Sequence, residues 1–251
     1  MATAETLPAA QPQPPQQKIS DFGRVGGVLF SPGPTFEDIA RKPSWIVPVI
    51  LVTIFSLGVV FFLNQKMDWP TFIRHQNEQS SRWQNLTDEQ KDNAVALGAK
   101  IAPAIAWGGG AAGVILSAVI ISFVYWLAFN VLTGAQLRYG QSMGIVSYAY
   151  VPAIISCVLA MVVLAIKRFG DVDPQRMLAT SVAAFLPSDA PKWEVTLGAS
   201  IEIFWLWTMI LMVIGYSKAN PKKISGGSSF GIVFGLWALY LLIRVGLSAA
   251  F

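Results

Sequence analysis

Residues 45–63 read Trp-Ile-Val-Pro-Val-Ile-Leu-Val-Thr-Ile-Phe-Ser-Leu-Gly-Val-Val-Phe-Phe-Leu, without one ionisable side chain. At about 1.5 Å per helical residue this run crosses the ~30 Å hydrocarbon core of a bilayer. Backbone polar groups in lipid must satisfy one another within the segment, which makes such a run a helix. Four further apolar runs share its character: 102–133, 143–166, 197–216 with Glu202 inside it, and 230–250 with Arg244 inside it. Composition agrees, since 54% of the 251 residues are hydrophobic and 13% are charged, about half the ~25% charge of a soluble domain. The expected fold class is all-α: a polytopic membrane protein with five transmembrane helices, short amphipathic N-terminal helices and a partly helical first outer loop.

Outward from this run, residues 1–19 form a Pro/Gln-rich tail that cannot bury enough apolar surface to order itself, with neither the apolar core nor the basic start of a targeting segment. Residues 20–251 are the membrane domain. Phe22, Val25, Val28, Leu29 and Phe30 recur at helical spacing. Thr35 is placed to cap a second short helix with Glu37 and Asp38 in its first turn, and Pro43 ends it. Two amphipathic segments just before a span suggest an element lying at the membrane surface. A packed lead-in that touches only protein is the alternative. In the first outer loop, Thr87-Asp88-Glu89-Gln90 has the form of a capping box, so a helix starts there and runs into the second span. The loop 168–194 has an apolar centre, 177–186, too short to span and suited to lying on the membrane surface. Asp171 and Asp173 read as turn residues, because the other positions of a calcium loop are missing.

One Cys and one His limit the chemistry. Cys157 cannot close a disulfide within the chain, and a Cys/His zinc site lacks ligands. His75 sits in a polar stretch, with no Gly-x-Ser-x-Gly elbow to accompany it. Gly108-Gly109-Gly110 lies in an apolar helix without the Lys-Ser/Thr of a phosphate loop. Neither enzymatic activity, nor a cofactor, a metal or a nucleic acid is expected.

The formal charge of +4 resolves to Arg138, Lys218, Lys222 and Lys223, on the two short loops that share a side with the N-terminus. Basic residues in short loops mark the cytoplasmic side. The expectation is a multi-pass protein of the cell (inner) membrane, N-terminus cytoplasmic and C-terminus outside, although Lys167 and Arg168 at an outer helix end oppose it.

Glu202 and Arg244 are nearly equidistant from Lys222, at the turn of the last hairpin, so their depths coincide. An ion pair between the two helices is expected, chiefly as a structural clamp. Gly109-x-x-x-Gly113 and Gly231-x-x-x-Gly235 suit close helix packing, with homodimerisation the sharper alternative. Asn130 is expected to bond across helices.

Several motifs add a resemblance. Pro32, Phe36, Ile39 and Pro43 lead into the first span, and the stretch 134–141 precedes Tyr148-Ala149-Tyr150-Val151-Pro152. Glu202-Ile203-Phe204 is followed by Trp207 and Ile214-Gly215. In order and spacing these resemble the Yip (Ypt/Rab-interacting protein) domain family, bacterial type, over roughly residues 22–250, with Glu202 standing where the family pattern suggests Asp. The resemblance implies a five-helix integral membrane protein with a cytoplasmic N-terminus. Its eukaryotic members act in vesicle trafficking through Rab-type GTPases and in membrane shaping, and its bacterial members mostly lack an assigned activity. The eukaryotic Asp-Leu-Tyr-Gly-Pro motif is absent, which argues against carrying GTPase binding over.

The leading functional expectation is a non-enzymatic membrane scaffold or membrane-organising protein, its partners the lipid bilayer and either a second copy or other membrane proteins. The alternative is a small transporter using the Glu202/Arg244 pair, favoured if a wet cavity reaches that pair.

Overall fold

The computed structural model describes residues 19–78, 81–172, 174, 177–187 and 190–250. The tail to residue 18, and Asp173 with the turn reading attached to it, lie outside these. The helices are α1 (Asp21–Phe30), α2 (Pro32–Arg41), α3 (Ile46–Lys66), α4 (Trp69–Asn77), α5 (Ser81–Gln84), α6 (Asp88–Thr133), α7 (Tyr139–Ala149), α8 (Pro152–Ile166), α9 (Lys192–Ser200), α10 (Ile203–Ala219) and α11 (Gly226–Ala250). Between α8 and α9, within the expected surface element, only a 3-10 turn forms, Val182–Phe185. Among the described residues the sole extended pairing is an isolated bridge between Ser181 and Glu202.

Among the described residues, four segments are long and apolar enough to cross a membrane: Ile46–Lys66, Asp88–Thr133, Tyr139–Ile166 and Gly226–Ser248. The expected span 197–216 is not a continuous helix. The chain breaks between α9 and α10, leaving α10 with 17 residues, about 25 Å at ~1.5 Å each and short of the ~30 Å core. Glu202 explains the break. Its backbone is extended (φ −123°, ψ 135°) and its Oε2 accepts from the Trp205 N–H at 2.8 Å, so it is the N-cap of α10. A carboxylate beside the unpaired N–H groups of a helix start is favourable. This acid in an apolar run therefore marks a helix beginning.

The Thr87 capping box forms in both directions, at 3.3 and 2.9 Å. From it α6 runs unbroken for 46 residues to Gly134, whose φ of 62° ends it in the left-handed region. At ~1.5 Å per residue α6 is about 69 Å long, so one end projects well beyond a bilayer. There α4 packs on it, Ile73 filling the space beside Gly98 and Arg74 pairing with Asp92 at 2.8 Å. Asn130 does not cross to another helix. Its side chain holds the loop after α6, accepting from the Leu137 N–H at 2.6 Å and donating to the Leu137 carbonyl at 3.1 Å.

At the other end α1 and α2 close the bundle. Thr35 does not cap α2. The helix starts at Pro32, where the missing N–H costs nothing, and Thr35 is buried one turn in, donating to the Ser31 carbonyl at 2.8 Å. Phe36 and Ile39 are fully buried on α7 and α10, and Tyr216 stacks on Phe129 with ring centroids 4.1 Å apart. Gly215 permits this approach, since a Cβ there would lie 2.5 Å from Ile145 Cγ2 and 3.0 Å from Phe36 Cδ1.

Away from this core, Leu116, Ile120, Leu127 and Val131 on α6, and Leu239, Leu242, Ile243 and Leu247 on α11, face outward. Such stripes exceed what a water-soluble monomer exposes and form the surface that lipid covers. Gly109, Gly113, Gly231 and Gly235 belong to open faces: nothing lies within 4 Å of where their Cβ atoms would stand. Close packing falls instead on Gly110, where a Cβ would meet Val60 Cγ2 at 2.8 Å, and on Gly58 beside Met161. Gly231→Ala and Gly235→Ala are therefore expected to leave unfolding of the monomer in detergent unchanged, or to raise it by up to ~1 kcal/mol through the entropy of the unfolded chain. A loss above 1 kcal/mol would return these glycines to the packed interior.

Candidate functional site

Two polar sites arise from this fold. The first ties α1 and α2 to the bundle. Ser20 caps α1 by accepting from the Gly23 N–H at 3.1 Å. The turn at Ser31 then folds α2 back, so that Arg24 on α1 faces Asp38 on α2. Arg24 is only 3% exposed. Its Nε and Nη2 lie 2.9 and 2.8 Å from Asp38 Oδ2, and its Nη1 donates to Asp21 Oδ1 at 3.0 Å and Ser44 Oγ at 2.7 Å. The Ser44 hydroxyl in turn donates a hydrogen bond to Asp21 Oδ1 at 2.7 Å. From α7 the Tyr148 hydroxyl approaches Asp21 at 3.3 Å. Burial alone would lower the guanidinium pKa, but the hydrogen bond and charge of Asp38 outweigh it, and Arg24 is held above its ordinary range. At the margin Lys218 Nζ pairs with Glu37 Oε1 at 2.9 Å, and Gln141 Nε2 donates to the Ala40 carbonyl at 2.9 Å. On its other side, α1 presents Phe22 and Phe30, 69% and 87% exposed. The cluster is saturated with internal partners, so it fixes position. The outward aromatic pair is what it offers to contact.

The second site is a partly open cavity of about 260 Å³ between α3, α6, α8 and α10. Tyr150, Glu202, Phe204 and Trp205 wall one part of it, with the hydroxyls of Ser117 and Thr208 nearby. The break before α10 places Glu202 here. Irregular backbone at membrane depth is tolerated where protein buries it or where it lines a cavity.

Glu202 and Arg244 do not meet. Arg244 is exposed on α11 and its Nη1 lies 3.3 Å from Ser200 Oγ, whereas Glu202 turns inward to cap α10. The matching of depth holds, because Ser200 stands just before Glu202. The helix faces differ, and no ion pair joins the two among the described residues. The motif residues divide between the sites. Pro32 opens α2, Phe36 is its buried anchor, and Tyr148 is fully buried with its hydroxyl at the Arg24 cluster. Pro152 opens α8, and Phe204 lines the cavity. His75 is exposed beside Glu78, with Nδ1 2.9 Å from Oε2. Among the described residues no three metal-binding side chains converge. Arg24 was not singled out from sequence, although an Arg three residues after an Asp within a Gly/Val-rich apolar helix is a recognisable signal of a buried pair.

Long lipid-facing helices closed at one end by a docked amphipathic pair define a polytopic α-helical integral membrane protein. The chain belongs to the family described as Yip1 domain, whose model matches residues 26–248. It is similar to the Bacillus subtilis (strain 168) protein named Membrane protein YknW, 27% identical over 222 residues that cover 86% of this chain and 87% of that one. No solved structure matches.

Proposed function

We propose that this protein is a non-enzymatic scaffold of the cell membrane, that α9 and α10 together make a fifth, broken crossing which leaves the N-terminus cytoplasmic and the C-terminus outside, and that α1 and α2 are its working surface. The observation that carries this is the contrast along α1: Arg24 is locked inside while Phe22 and Phe30 are held outward. An ordered helix with two exposed aromatic rings next to a span is suited to lie in the headgroup region or against a neighbouring membrane protein. Arg138, Lys222 and Lys223 in the short loops support the cytoplasmic placement of this end. The transport alternative loses the Glu202/Arg244 pair on which it was built. The test is quantitative co-purification from native membranes with the full chain and its Phe22→Ser/Phe30→Ser variant. Both rings lie outside the core, so the variant is expected to fold and insert normally while losing several-fold in recovery of the neighbours that accompany the unaltered protein. Equal recovery of the same neighbours would reject the scaffold reading.

A further inference from the structure

The cavity beside α10 contains two polar atoms that the fold leaves without partners. Glu202 commits Oε2 to the Trp205 N–H, but its Oε1 is buried and has no hydrogen-bond partner. The Tyr150 hydroxyl, on a side chain only 7% exposed, likewise lacks a hydrogen bond of ordinary geometry. Ser117 approaches the Tyr150 hydroxyl closely enough for a loose hydrogen bond, short of ordinary geometry, while its own hydroxyl donates to the Val114 carbonyl at 2.9 Å. Thr208 donates to the Phe204 carbonyl at 2.9 Å. Ser117 and Thr208 thus donate within their own helices, and Ser156 is a further hydroxyl on the cavity wall. Leaving a buried carboxylate oxygen bare costs more than leaving most other groups so, and Arg244, the one cation at this depth in the neighbouring helix, points elsewhere.

We propose that this cavity binds a primary ammonium group carried next to an oxygen acceptor, the chemistry of a 2-aminoethyl headgroup. The ammonium donates to Glu202 Oε1, and the neighbouring oxygen accepts from the Tyr150 hydroxyl. Trp205 and Tyr150, with ring centroids 6.3 Å apart and tilted by 42°, together with Phe204 supply the aromatic wall that a cation favours. The volume of about 260 Å³ suits a small headgroup rather than a bulky ligand. Broken helices line binding sites at membrane depth; because the N-terminus of α10 by itself favours an anion, the attraction for an ammonium here comes from the Glu202 carboxylate. The site is separate from the α1–α2 surface and does not depend on the scaffold reading.

The test uses the full chain purified in detergent and exchanged free of bound lipid, with native mass spectrometry and thermal unfolding as readouts. Three probes are compared: a short-chain phosphatidylethanolamine, the matching phosphatidylcholine, and free ethanolamine. The ethanolamine headgroup is expected to be retained about tenfold better than its trimethylated counterpart, which has no N–H to donate. Tyr150→Phe, which keeps ring and volume, and Glu202→Gln are each expected to lose that preference. Retention of the phospholipid alone identifies a lipid as the source, and equal binding of free ethanolamine identifies a soluble amine; either supports the site. Equal retention of both phospholipids, no binding of any probe, or a Tyr150→Phe protein indistinguishable from the unaltered one would overturn the proposal. Tyr150→Phe decides the matter even if Glu202→Gln fails to fold.

Discussion

Arg24→Ala is expected to destabilise the folded protein by about 3–5 kcal/mol, the cost of removing one partner from a buried charged cluster. The reason lies in what remains. Asp38, with a side chain 19% exposed, loses both of its guanidinium contacts, while Ser44 and Asp21 lose the donor that joins them. Arg24→Lys is expected to recover only part of this, because an ammonium cannot repeat the spread of a guanidinium across Asp38, Asp21 and Ser44. Denaturant unfolding in detergent measures the loss, and limited proteolysis locates it, with new cleavage expected in α1 and α2 and none in α3. A loss below 1 kcal/mol would mean that the cluster is ornamental to the cap.

The second large effect is expected at Gly215. A Cβ there already meets Ile145 at 2.5 Å and Phe36 at 3.0 Å, so Gly215→Val must push α2 away from α7 and α10, at a cost of about 1–3 kcal/mol or more. Phe36→Ala alone is expected to cost about 3–5 kcal/mol as a cavity. Combined with Gly215→Val it should cost less than the sum, because the cavity receives the added methyl groups. Such coupling is measurable when the residues touch. Strict additivity of the two changes would show that Phe36 does not sit on Gly215.

The membrane class was legible because long uncharged runs have one physical solution in lipid, as at 45–63. The helix count was less so. Glu202 reads from sequence as a charge embedded in a span, and only the backbone reveals that it ends one helix and begins another. The Glu202/Arg244 expectation matched depth correctly but could not resolve which face of α11 carries Arg244. Rotation about a helix axis also misled the glycine patterns. In Gly108-Gly109-Gly110 the inward position is the third, a choice made by Val60 and Leu57 on α3 rather than by spacing within α6. The Arg24 cluster joins residues from α1, α2, α7 and the linker before α3, so no local window holds it. The capping box at Thr87, by contrast, is wholly local and was readable in full.

The proposed function requires α1 to be held against the bundle with its aromatic face in the membrane surface. Nitroxide labels at Phe22→Cys and Phe30→Cys, in the full chain with Cys157→Ser and reconstituted into vesicles, test this directly through their accessibility to oxygen and to a water-soluble nickel chelate. Both labels are predicted to favour oxygen, at a depth of about 5–10 Å near the boundary of headgroups and acyl chains. Labels as open to the chelate as residues of a free peptide would contradict the membrane placement of α1 and return it to water.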